Sequence, residues 1–207
     1  MIDHKVRPLI DPPLNRVGFW LAKKGITANF MTALGFFLGI CAIILIIKEN
    51  FTGALIFLGL SRLADGLDGA IARHSKLSDF GGFFDIVCDF IFYSGFAYAF
   101  GFSDPVKLPY SSFLVFSFVG PMVSFLAYAI VAGKREIKTE IRGKKSFYYL
   151  GGICEGTETA FFFALFCLFP KSFTFLSMVF AGLCWLTTFG RVYVAWIDFN
   201  SLEEKTS

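Results

Sequence analysis

Six apolar runs separated by short polar breaks organise the chain, at residues 30–47, 51–72, 80–102, 109–132, 150–169 and 173–197. Each is close to the about 20 residues that a helix needs to cross the hydrocarbon core of a bilayer. The breaks at 48–50, 73–79, 103–108 and 170–172 are short, and only 133–149 is a loop of any length. The first run continues past the length of a signal peptide's apolar region and ends on no small-residue cleavage site. No internal repeat and no low-complexity tract appears. The pattern predicts an all-α integral membrane protein: a six-helix membrane domain over 30–197, an N-terminal segment 1–29 and a tail 198–207. Within the N-terminal segment, Leu14, Val17, Trp20 and Leu21 recur at helical spacing, with Arg16, Lys23 and Lys24 off that stripe. This predicts an amphipathic interfacial helix, with Pro12 and Pro13 at its start, where a missing N–H is harmless.

Composition agrees. Of 207 residues, 56% are hydrophobic and 17% charged, and Phe alone occurs 29 times. Soluble domains average about 45–50% apolar and about 25% charged, so this chain lacks the polar surface to cover a globule in water. A net charge of +3 leaves no electrostatic footprint for nucleic acid. The five cysteines are widely spaced inside apolar stretches and read as small buried hydrophobes, with neither a disulfide framework nor a CxxC metal pattern.

Lys and Arg set the orientation. The N-terminal segment carries five, the 73–79 loop two and the 133–149 loop six, against one in each of the other three connections. The positive-inside rule therefore predicts a multi-pass protein with both termini and both basic loops in the cytoplasm. In a bacterium the host would be the inner, or plasma, membrane.

Four carboxylates interrupt the apolar runs. Asp65 and Asp68 lie in the second span at i, i+3, and Asp85 and Asp89 in the third at i, i+4, so each pair shares a helix face. An Asp at a helix centre costs ~2.5–3.5 kcal/mol on insertion scales, and ionisable residues at such depth are candidate functional groups. The short 73–79 loop makes the two spans an antiparallel hairpin, with residues 65 and 89, and 68 and 85, at matching depth in the cytoplasmic half. Four clustered anions in low dielectric need cations, and an all-oxygen donor set suits Mg²⁺, Mn²⁺ or Ca²⁺. Two divalent ions would neutralise the four charges, an arrangement that serves in-line displacement at phosphorus. The competing readings are a cluster balanced by Arg62, Arg73 and Arg191, or a partly protonated ion relay. Gly66, Gly69, Gly81 and Gly82 surround the carboxylates and leave room for a ligand or a second backbone.

At these residues the sequence resembles the CDP-alcohol phosphotransferase family, whose signature is D-x-x-D-G-x-x-A-R, about eight residues, then G-x-x-x-D-x-x-x-D. Asp65, Asp68, Gly69, Ala72 and Arg73 match the first half, and Gly81, Asp85 and Asp89 the second. Seven residues, 74–80, separate the halves, a one-residue contraction of the loop. The stretch KKGITANFMTALG before and into the first span is also similar to the family's. The resemblance implies a phospholipid-synthesising transferase: an alcohol attacks the β-phosphorus of a CDP-linked donor, commonly CDP-diacylglycerol, and CMP leaves. It implies Asp65, Asp68, Asp85 and Asp89 as ligands of two Mg²⁺ or Mn²⁺ ions, with Asp89 also the general base. Gly69, Ala72, Arg73 and Gly81 would then border the donor.

Candidate acceptor contacts lie further along. Glu155 and Glu158 share a face of the fifth span, and Arg191 sits at similar depth in the sixth. They read either as a buried pair supporting the bundle or as contacts to the acceptor. Arg142, Lys144 and Lys145 just precede the fifth span and suit a phosphorylated acceptor such as glycerol 3-phosphate or an inositol phosphate. Anionic headgroups would draw the same charges. The expected partners are CDP-diacylglycerol, a small alcohol and membrane lipids. A homodimer is implied by the resemblance and joined by one sequence feature, the GxxxG of Gly35 and Gly39. A metal-ion or proton-coupled transporter is the alternative function, although no broken helix or inverted repeat supports it.

Overall fold

The computed structural model describes residues 3–75, 78–134 and 152–203. Among them are seven α-helices: α1 (Asp3–Lys23), α2 (Ala28–Ile47), α3 (Phe51–His74), α4 (Asp79–Ser103), α5 (Leu108–Lys134), α6 (Gly156–Leu168) and α7 (Phe173–Glu203). Local chemistry sets their ends. Thr27 Oγ1 accepts from Phe30 N at 3.2 Å, Asn50 Oδ1 from Gly53 N at 3.0 Å and Ser78 Oγ from Gly81 N at 2.9 Å, each capping an otherwise unsatisfied donor. Gly25, at φ +82°, closes α1, and Ile26 N reaches back to Leu21 O at 3.1 Å. A side chain would strain that left-handed backbone.

Helices α2 to α7 occupy the six expected spans. Four stretches are long and apolar enough to cross a membrane: Ala28–Ile47, Asp79–Ser103, Pro105–Lys134 and Pro170–Asn200. Helix α3 has the length, 24 residues, but carries Arg62, Asp65, Asp68 and Arg73. Helix α6 is shorter than expected. It starts at Gly156 rather than near 150, leaving 152–155 outside the helix, and its 13 residues rise only ~20 Å. Helix α1 is longer than expected, running from Asp3 through Pro8, Pro12 and Pro13 instead of starting at the last two.

Phenylalanine builds the centre. Phe92, Phe96 and Phe100, one turn apart on α4, are fully buried among Phe163 and Phe166 of α6 and Phe173 and Phe180 of α7. Phe96 stacks on Phe163 at 4.3 Å and Phe100 on Phe173 at 4.6 Å. Lipid tails are as apolar as these rings, so helix association here rests on close packing rather than on the hydrophobic effect. Other large side chains face outward, among them Phe37, Phe83, Phe116, Phe175 and Phe189. A water-soluble protein would hide such a surface; a bilayer solvates it. The chain is a multi-pass membrane protein.

Small residues bring the site-bearing helices together. A Cβ on Gly35 would stand 3.3 Å from Ala64 of α3, and one on Gly39 would stand 2.5 Å from the Phe92 ring of α4. Both glycines are buried within the chain, so this GxxxG packs α2 on its own neighbours, and the expected dimer rests on the family resemblance alone. Helix α1 lies along the far half of α3: Gly18 sits against Ala70, and Leu14 occupies the space a side chain on Gly66 would need. Its other side leaves Val17, Phe19 and Trp20 exposed, with Lys24 Nζ 3.7 Å from the centre of the Trp20 ring.

Candidate active site

The hairpin of α3 and α4 brings three of the four aspartates together. One carboxylate oxygen from each of Asp65, Asp68 and Asp85 lies within 4.8 Å of the others. Donors on one Mg²⁺ or Ca²⁺ stand at most about 4–5 Å apart, twice a bond of ~2.0–2.6 Å, so these residues fit a divalent cation. The donors are hard oxygens, which excludes a preference for softer metals. Asp68 is buried, and its Oδ2 accepts a 2.6 Å hydrogen bond from Thr32 Oγ1 of α2. That bond fixes the orientation of the most enclosed carboxylate from a third helix.

Asp89 is held differently. Its Oδ1 accepts from Arg62 Nη1 at 2.9 Å and its Oδ2 from the Tyr93 hydroxyl at 3.2 Å. Arg62 also approaches Asp65 Oδ2 at 3.6 Å. Three carboxylates thus form one group, and the fourth, Asp89, is engaged by the Arg62 cation that also reaches Asp65. All four line one cleft together with Thr32, Arg62 and Cys88.

The residues expected to border the donor divide into two kinds. A Cβ on Gly69 would meet only Arg73 Nη1, at 3.7 Å, so that face of α3 is open. Arg73 is exposed, and its Nε donates to Asn15 Oδ1 of α1 at 2.8 Å; Ala72 is half-buried beside it. Gly81 is small for another reason, because a Cβ there would stand 2.9 Å from Asn29 Oδ1 and 3.1 Å from the capping Ser78 Oγ.

Of the expected acceptor residues, the described ones, Glu155, Glu158 and Arg191, lie outside the lining of this cleft. Glu155 Oε1 accepts from Gly152 N at 3.0 Å and Glu158 Oε2 from Glu155 N at 3.2 Å, ordering the start of α6. Arg191, buried on α7, donates from Nη1 to Pro121 O of α5 at 2.7 Å. Arg142, Lys144 and Lys145 lie outside the described residues. Sequence reasoning passed over Thr32, Tyr93 and Asn15, read Cys88 as a small buried hydrophobe, and gave Arg62 only a general counter-charge. Arg62 and Tyr93 did carry a signal, each one turn from an aspartate, at i, i+3 and i, i+4.

Known proteins are similar to this chain in sequence and in fold. The family model described as CDP-alcohol phosphatidyltransferase matches residues 25–199. The chain is 41% identical to inner membrane protein YnjF of Escherichia coli over 206 residues, 99% of this chain and 100% of that protein. It is 42% identical to archaetidylinositol phosphate synthase of Pyrococcus horikoshii over 86 residues, 41% of this chain and 46% of that one. Its fold matches a Mycobacterium tuberculosis phosphatidylinositol phosphate synthase solved with CDP-DAG bound. The TM-score is 0.70 at 18% identity, over 88% of this chain and 93% of that one. With the signature, the helical bundle and the converging aspartates all in place, the chain belongs to the CDP-alcohol phosphatidyltransferase family.

Proposed function

We propose that this phospholipid-synthesising transferase moves a phosphatidyl group from CDP-diacylglycerol to a phosphorylated small alcohol, releasing CMP on the cytoplasmic side. The observation that carries the reading is the convergence of Asp65, Asp68 and Asp85 within 4.8 Å inside the family's signature hairpin. These three, with Asp89 beside them, would hold two divalent ions, Mg²⁺ or Mn²⁺. When bound, such ions supply positive charge against the donor's diphosphate.

The chain's own residues do the rest. Arg73 presents a forked, permanent cation suited to a phosphate at the open face of Gly69 and Ala72, where the cytidine end would lie. Asp89 takes the proton of the acceptor hydroxyl as the new oxygen–phosphorus bond forms at the β-phosphorus. The bond from that phosphorus to the bridging oxygen breaks, and CMP leaves with the oxygen. A phosphorylated acceptor, glycerol 3-phosphate or an inositol phosphate, is favoured by the basic residues Arg142, Lys144 and Lys145 and by the buried Arg191. The Pyrococcus horikoshii relative is named for a product of that class. Glu155 and Glu158 would border the acceptor through the start of α6.

Purified protein given labelled CDP-diacylglycerol, Mn²⁺ and a panel of alcohols should release CMP with a phosphorylated acceptor. Absence of CMP with every alcohol would sink the reading.

The cytoplasmic placement rests on thirteen Lys and Arg on one side against three on the other. With the five native cysteines replaced, a Lys107→Cys variant should react with a membrane-impermeant thiol reagent only from the non-cytoplasmic side. Labelling from the cytoplasmic side would invert both the topology and the route of the soluble substrates.

A further inference from the structure

We propose that Arg62 and Tyr93 are positioning residues that orient the Asp89 carboxylate toward the acceptor hydroxyl. The inference rests on the reading of Asp89 as the base. Its ground is that both Asp89 oxygens are engaged by side chains that belong to no part of the signature: Arg62 Nη1 on one at 2.9 Å, the Tyr93 hydroxyl on the other at 3.2 Å. Arg62 Nη1 also lies 3.3 Å from the Tyr93 oxygen, closing a triangle of three groups. Each carboxylate oxygen has two lone pairs, so one remains on each for a proton.

The cation is itself fixed from three helices. Its guanidinium lies 4.7 Å from the centre of the Phe92 ring on α4. Nη2 donates to Ser61 Oγ at 3.2 Å, and that fully buried hydroxyl donates to Gly35 O of α2 at 2.8 Å. The glycine that lets α2 approach α3 therefore also anchors the support of Asp89. Arg62 stands between the two groups of carboxylates, touching Asp89 and reaching Asp65 at 3.6 Å. With Arg62 and Tyr93 in place, both Asp89 oxygens are held in a fixed direction; without Arg62, the Tyr93 hydroxyl is the one contact of this set left to orient the carboxylate. A base must sit within hydrogen-bond reach of the proton it takes, and a displacement of about 1 Å can cost about a hundredfold in rate.

Steady-state kinetics on the full chain, with CDP-diacylglycerol, Mn²⁺ and the acceptor that the wild type uses, tests this. Arg62→Met should lower kcat by about 10- to 100-fold with KM for CDP-diacylglycerol changed less than about threefold. Arg62→Lys, which keeps the charge but loses the fork, should recover part of that loss. Tyr93→Phe, which removes one hydroxyl and leaves the packing, should lower kcat by about threefold to tenfold. Added to Asp89→Asn, Arg62→Met should cost nothing further, since residues acting as one unit are not additive. A raised donor KM at unchanged kcat would make Arg62 a donor contact and overturn the inference. Full additivity with Asp89→Asn would overturn it too, as would unchanged kcat in Tyr93→Phe and Arg62→Lys should Arg62→Met not fold. A wild type inert with every acceptor would overturn the activity itself, and this inference with it; an active wild type with unaltered variants would overturn this inference alone.

Discussion

Asp68→Asn should lower turnover by about 10²- to 10³-fold and raise the Mn²⁺ concentration needed for half-maximal activity. The side chain is buried, shares a 4.8 Å cluster with Asp65 and Asp85, and already accepts a 2.6 Å hydrogen bond from Thr32. The amide keeps the volume but removes a unit of negative charge, and one of its two polar ends becomes a donor. That end faces either the Thr32 hydroxyl, which must then donate to Ala28 O alone and accept from the amide, or the place where a cation is held. Both orientations weaken the site. Metal charge is worth several kcal/mol in such transition states, and each ~1.4 kcal/mol is a factor of ten, which sets the size of the effect. Donor binding should weaken together with the metal requirement. A titration of CMP release against Mn²⁺ reads both, and an Asp68→Asn protein with the wild-type curve would remove Asp68 from the metal-binding set.

Local pattern carried much of this into the sequence. The six apolar runs, the antiparallel hairpin and the aspartates facing one another across it all follow from spacing and loop length, which need no knowledge of distant contacts. The start of α6 did not. The residues 152–155 include Ile153 and Cys154, so hydropathy runs on where the helix has not begun, and the first helical turn is ordered by glutamates rather than by a Ser, Thr, Asp or Asn cap. The extent of α1 was misjudged because paired prolines read as a helix start, yet this helix carries them internally and leans on α3 through Gly18 and Ala70. Gly35 and Gly39 form a pattern that brings helices close without naming the partner, and the approach of α2 to Ala64 and Phe92 shows the contact they make within the chain. Within the site, residue identity gave the carboxylates but not their division. Which one Arg62 would choose depends on how α3 and α4 rotate against each other and on Ser61 meeting the Gly35 carbonyl, both tertiary facts.

That division gives Asp89→Asn a different signature from Asp68→Asn. Turnover should fall by about 10²- to 10⁴-fold, the range for removing a positioned base. The binding of CDP-diacylglycerol should change little, and the Mn²⁺ requirement should rise less than for Asp68→Asn. The substituted amide would retain one oxygen for Arg62 Nη1 and offer its NH₂ toward the Tyr93 oxygen, which can turn and accept, so the local packing survives. What is lost is the lone-pair-bearing anion that takes the acceptor's proton. The three-carboxylate group does not include Asp89, the amide oxygen can still serve as a ligand, and the donor is expected at the Gly69 and Arg73 face, so donor binding should survive the change. Measuring CDP-diacylglycerol affinity and kcat on the same preparation separates the outcomes. Near-normal turnover would end the assignment of Asp89 as the base. Loss of turnover with a metal requirement raised as far as in Asp68→Asn would leave Asp89 a metal ligand without a separate role as base.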